Sequence, residues 1–171
     1  MSDARSRTSV RDELTHWFFD DYLATWVGVG SGAIARGSEF ILDHWGVPLH
    51  HCTPDGGEWL LDGASVVGML ARIHSRLRGQ GYAYTAVPDR RVTVYHAAGA
   101  AIDVIWSRCR ADGSEIERLA VHFEVARGSA AWRVVGIQEA PTRADSLNAA
   151  WGGANERARR VRSGADTNSN T

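Results

Sequence analysis

The chain has 171 residues, 44% of them apolar and 23% charged, with a formal net charge of −1. One domain of ordinary globular composition fits that length and needs neither disulfides nor metal to hold a core. The charge balance leaves no basic excess for a nucleic-acid backbone, and all 19 basic residues are arginine, which excludes Schiff-base lysine chemistry.

Residues 1–8 are polar and are expected to be a flexible N-terminus. Ser9 can cap a helix that carries Asp12 and Glu13 in its first turn, where the dipole favours anions. Leu14, Phe18, Tyr22 and Trp26 then recur with constant spacing, and Trp17 widens the stripe. This predicts one amphipathic helix with an aromatic buried face. The run Gly28-Val29-Gly30-Ser31-Gly32 is expected to break it, and a shorter helix is expected over 33–43. Residues 44–52 read as a strand, which Pro48 places at a sheet edge, and Asp55-Gly56-Gly57 reads as a turn. Asp62 caps a third helix with Val66, Leu70, Ile73 and Leu77 on one face and Gly79 at its stop.

The period then changes to that of strands. Four runs follow, at 83–97, 100–110, 115–126 and 131–139, with turn signals at Ala98-Gly99 and Asp112-Gly113. Residues 140–171 drift into a tail with a helical piece around Trp151. Cys52 and Cys109 have no paired spacing, no signal-peptide core opens the chain, and no apolar run approaches the ~18 residues of a membrane span. The expected setting is the cytoplasm, with no membrane partner.

The order long helix, short helix, strand, helix and meander resembles the nuclear transport factor 2-like fold, especially its SnoaL-like bacterial branch. The resemblance covers about residues 9–140 and rests on that order, on EFILDHWGVPL, on the AIDVIWSR strand and on the closing GSAAWRVVGIQEA strand. It implies an α+β cone, with three N-terminal helices on a curved, mostly antiparallel sheet around one pocket. That family holds cyclases, dehydratases, isomerases, epoxide hydrolases and non-catalytic binding modules, so the fold leaves the activity open. No catalytic motif of one branch is matched.

Counting outward from a two-residue turn at Asp112-Gly113 sets Ser107 opposite Arg118, Ile105 opposite Ala120 and Asp103 opposite His122. The same count from Ala98-Gly99 sets Val94 opposite Asp103, and a turn near 127–130 sets Glu124 near Arg133. One face then carries His96, Asp103, His122, Glu124 and Arg133 among Val92, Val94, Ile105 and Val135. The other carries Tyr95, Ile102, Val104, Trp106, Leu119, Val121, Phe123, Trp132 and Val134. The mixed face reads as a pocket wall and the apolar face as a homodimer surface; the reverse assignment stays open.

Asp103 and His122 are therefore the candidate catalytic pair, the carboxylate orienting the imidazole for proton transfer. A structural cross-strand ion pair is the competing account. Tyr22, Trp26, His44, Trp45, His96 and Arg133 are candidate ligand contacts, with Tyr22, His44 or Arg133 available to an oxyanion. His44, His50, His51 and Cys52 match no zinc spacing, and adjacent His50 and His51 point to opposite faces. GVGSG at 28–32 follows a helix rather than a strand, and there is no Walker or GxSxG sequence. No metal or cofactor is expected. These features favour a cofactor-independent cyclase, isomerase or dehydratase acting on a hydrophobic small molecule. The alternatives are a binding or scaffold module and a ring-opening hydrolase.

Overall fold

The long first helix forms with a change of pitch. The computed structural model describes residues 2–129 and 131–152. Helix α1 (Ser2–Thr15) runs into a π-helical segment (His16–Tyr22) and then α2 (Leu23–Ser31), and both junction residues, Thr15 and Tyr22, keep right-handed helical dihedrals. Helix starts at Ser2, so Ser9 lies inside it rather than capping it. Glycines 28 and 30 do not break it; Gly32, at φ 83°, does. Gly30 instead permits close packing, since a Cβ there would meet the His74 ring at 3.1 Å.

The pitch change explains the aromatic stripe. In an α-helix each residue turns about 100°, so side chains four apart drift about 40° per step. A wider π segment in the middle takes up that drift. Leu14, Phe18, Tyr22 and Trp26 are all at or below 5% exposure as a result.

The helix expected over 33–43 is instead a single 3-10 segment, Ser38–Asp43. Strand β1 (Trp45–Thr53) follows, then β2 (Gly56–Leu60), a strand the glycines concealed. Asp62 caps α3 (Gly63–Gly79) by accepting the Ser65 N–H at 2.7 Å. The run expected at 83–97 divides into β3 (Tyr82–Ala86) and β4 (Arg90–His96), parted at Pro88. The meander closes with β5 (Gly99–Arg110), β6 (Glu115–Arg127) and β7 (Trp132–Pro141).

The seven strands form one sheet in the order β2-β1-β7-β6-β5-β3, with β4 pairing the other half of the β5 edge. Only β1 and β7 are parallel among these pairs. β1 is thus an inner strand, contrary to the edge position read from Pro48. Its register against β7 shifts between Trp45 and His50, and Pro48, which has no N–H to donate, falls within that shift.

The β5–β6 register is the one counted from the sequence, with Asp103 opposite His122 and Ser107 opposite Arg118. The other two counts are off by three residues. Arg91 rather than Val94 faces Asp103, because the β4–β5 turn is Ala97-Ala98 and a bulge intervenes between Val94 and His96. Glu124 faces Gly136 and Arg133 faces Ala126, because β7 carries an irregularity there. An odd shift inverts a strand's faces, so Val92 and Val94 pack on the helix side.

The helices cover the aromatic face. Ile102, Val104, Trp106, Val121, Phe123, Trp132 and Val134 join Phe18, Tyr22, Trp26 and Leu70 in the main core. This face offers more unbroken apolar area, and burial of apolar area is the larger driving force. Trp132 donates its indole N–H to Glu13 at 3.1 Å, and Arg127 pairs with the same carboxylate, which ties α1 to the end of the meander. On the outer face a helical turn beginning at Leu147 packs on Ile105 and Ala120. Asp89 accepts the Leu147 N–H at 2.8 Å at its start. The remainder of the expected tail lies outside the described residues.

Candidate functional site

Asp103 and His122 do meet, with Asp103 Oδ1 and His122 Nδ1 2.8 Å apart. They do so on the outer face, away from the helices. Arg91 holds the other carboxylate oxygen through two contacts of 3.2 Å. Burial alone would raise the Asp103 carboxyl, but His122 and Arg91 outweigh it and hold it below its usual range. The hydrogen bond to Asp103 raises His122 against the effect of burial. This is a cross-strand ion triad on the side of the sheet away from the helices. The mixed face therefore does not wall the interior pocket, which lies on the aromatic face; His122, Glu124 and Val135 border a groove on the outer face instead.

The interior pocket lies between the helices and the aromatic face. Tyr22, Leu23 and Trp26 from the first helix, Trp45 and His51 from β1, and Met69 and Ile73 from α3 line it. The sheet supplies Thr85, Trp106, Arg108, Val121, Phe123, Ile137 and Glu139. Of the expected ligand contacts, Tyr22, Trp26 and Trp45 are therefore in place. His44 packs beside Tyr22 with ring centroids 5.4 Å apart, outside the lining, and burial lowers its pKa. His96 is exposed at the β4–β5 turn, where Nδ1 accepts the Ala98 N–H. Arg133 lies outside the lining, donating to the Trp132 carbonyl at 3.0 Å.

The polar wall of the pocket comes from residues the sequence reading passed over. His51 Nε2 stands 3.3 Å from Glu139 Oε1, and its Nδ1 is 3.6 Å from Glu58. Contact with Glu139 raises the imidazole pKa, burial opposes this, and Glu58 adds to the rise. Arg108 is buried, its guanidinium 4.8 Å above the Trp26 ring. It pairs with Glu117, which Arg76 also holds at 2.9 and 3.0 Å. Burial pushes the Glu117 carboxyl up, but the two arginines outweigh it and keep it low. Burial raises the Tyr22 phenol, so it stays protonated as a donor. A carboxylate and an imidazole in contact inside an apolar pocket are groups that can exchange a proton with a bound molecule.

A signal for these residues was present. Strand alternation sends His50 and His51 to opposite sides, so one of them must face inward. Ile137 and Glu139 likewise share a side of β7, and Ile137 is core. The zinc spacing test, applied to His44, His50, His51 and Cys52 together, hid this.

Residues 12–142 match the family described as NTF2-like protein (DUF6841). The chain belongs to that family. No curated protein matches it. Among solved structures, an NTF2-like protein with a cystatin-like fold from Novosphingobium aromaticivorans aligns at TM-score 0.56 and 18% identity. That alignment covers 82% of this chain and 87% of the other. A domain of unknown function with a cystatin-like fold from Nostoc punctiforme gives TM-score 0.58 at 13% identity, over 90% and 93% of the two chains. An NTF2-like superfamily protein from Salmonella enterica gives 0.54 at 14%, over 82% and 96%. At these identities the likeness is one of fold. The NTF2-like cone expected from the element order is therefore the fold of this chain. No described helix is long and apolar enough to cross a membrane.

Proposed function

We propose that this NTF2-like protein is a cofactor-independent enzyme of the isomerase or dehydratase kind, working on a small, largely apolar molecule in the interior pocket. The observation that carries the reading is the His51–Glu139 contact in the pocket wall. Glu139 takes a proton from carbon next to a carbonyl, and His51 returns one to the displaced position or to a departing hydroxyl. Tyr22, a protonated donor, supports the oxygen on which charge develops. The aromatic lining keeps water scarce, which strengthens each of these contacts.

The test follows carbon-bound hydrogen in D2O. Small ketones and enones are incubated with the full chain, and exchange at the activated carbon is followed by proton NMR. Exchange above the buffer rate is expected, falling at least about 100-fold in His51→Ala and Glu139→Gln, in line with loss of one general acid or base. His122→Ala should leave it unchanged, because His122 lies on the outer face. No exchange with any probe, or full exchange in Glu139→Gln, sinks the reading.

A second reading, a non-catalytic binding module, is favoured by one observation. The cavity is only about 30 Å3, room for about two waters. In that case the probes bind without exchange.

A further inference from the structure

Resting on the interior-pocket reading, the donor balance of the wall points to the class of ligand. Trp45 is 5% exposed and lines the pocket; its buried indole Nε1 makes no full hydrogen bond and has only the Tyr22 phenol oxygen near it. Arg108 carries several N–H groups and pairs with Glu117 through one nitrogen. Tyr22 adds a phenolic O–H. Of the carboxylates, Glu117 is engaged by two arginines, and Glu139 meets His51 through one oxygen. Two guanidinium groups surround one Glu117 carboxylate, and the Glu139 carboxylate of the same pocket also acts on the more exposed Arg76.

A buried donor without a partner is costly, and an excess of donors is relieved by a molecule that brings acceptors and no donors. A guanidinium fork matches a carboxylate in shape as well as charge. We infer that the pocket takes a monocarboxylate with an apolar or aromatic body, its carboxylate on Arg108 beside Trp26 and its body along Leu23 and Ile73. The small cavity receives the carboxylate head, and the rest of the molecule extends toward the partly exposed Leu23 and Ile73.

Arg108 is a suitable residue to change. Without it Glu117 keeps its two contacts to Arg76 and is not left as an unpaired buried charge. Crotonate and benzoate are titrated calorimetrically into the full chain beside crotonamide and benzamide, which have the same shape without the charge. The acids are expected to bind at least about ten-fold more tightly than the amides, the scale of one charge-assisted contact. Arg108→Met should abolish that preference and leave amide binding within about two-fold, while Arg108→Lys keeps part of it. Equal binding of acid and amide by the unchanged protein overturns the carboxylate inference alone, and this comparison needs no variant to fold. A preference that survives Arg108→Met overturns it too. Failure of all four probes to bind overturns the inference together with the pocket reading beneath it.

Discussion

His74 has no exposed surface, and neither ring nitrogen has a hydrogen-bond partner. It stands edge-on to Trp26, with centroids 4.5 Å apart, and stacks over Phe40. Burial, aided by the nearby Arg78 and Arg108, lowers its pKa from 6.5 to about 4. The unfolded chain therefore binds a proton that the folded chain refuses between those values. The stability this residue permits is present above pH 6.5 and is lost as the pH falls toward 4. Between pH 7 and pH 5 the loss is about 2 kcal/mol by linkage. His51 and His122 have raised values and act in the opposite direction, so the contribution of His74 is isolated by comparison with His74→Phe. Urea unfolding at pH 7 and pH 5 is expected to show a smaller acid loss in His74→Phe by about that amount. Equal losses in the two proteins would refute this account. The same proximity to Gly30 accounts for the glycine there, since a side chain would have to displace the ring.

At the scale of elements, the aromatic stripe reports a pitch as well as a face. A π segment holds about one residue more per turn than an α-helix, so removing one residue from His16–Tyr22 lets it revert to an α-helix with the rotation of everything before it nearly unchanged. Leu14, fully buried, then keeps its place in the core. Deleting the exposed Ala24 from the regular helix α2 instead turns everything before it by about 100° and takes Leu14 out of the core, at a loss of about 2–5 kcal/mol by analogy with large-to-small core changes. Chemical unfolding is expected to show that loss for deletion of Ala24 and a much smaller one for deletion of the exposed Asp20. Equal losses in the two deletion variants would show that the segment carries no extra residue. The stripe was plain in the sequence; its change of pitch was not, because constant spacing over so few turns is compatible with either helix. The β5–β6 hairpin was legible through Asp112-Gly113, and with it the meeting of Asp103 and His122. The β4–β5 and β6–β7 registers were not, because bulges carry no residue signature of their own. β2 was hidden because Gly56-Gly57 reads as a turn while also pairing with Thr53 and Cys52. The face assignment failed at the level of physics: convergent polar groups were given more weight than apolar area, and the helices settled on the area.

At the scale of the molecule, the sheet's outer face is covered unequally. Leu147 and Trp151 cover Ile105 and Ala120. Toward β1 and β2 the face is open: Trp59 is 61% exposed against His50, beside Val135 and Gln138. We propose that a second copy of the chain covers this open part. Light scattering on the eluting protein should give twice the 18.7 kDa chain mass, and Trp59→Glu should return it to a single chain. A single-chain mass for the parent protein would remove the proposal. The family match ends at residue 142, so the turn that seals Ile105 and Ala120 lies outside the matched residues. Because Leu147 is the cover over Ile105 and Ala120, a change there would bare the middle of the sheet and widen the apolar ground on which a second chain could settle.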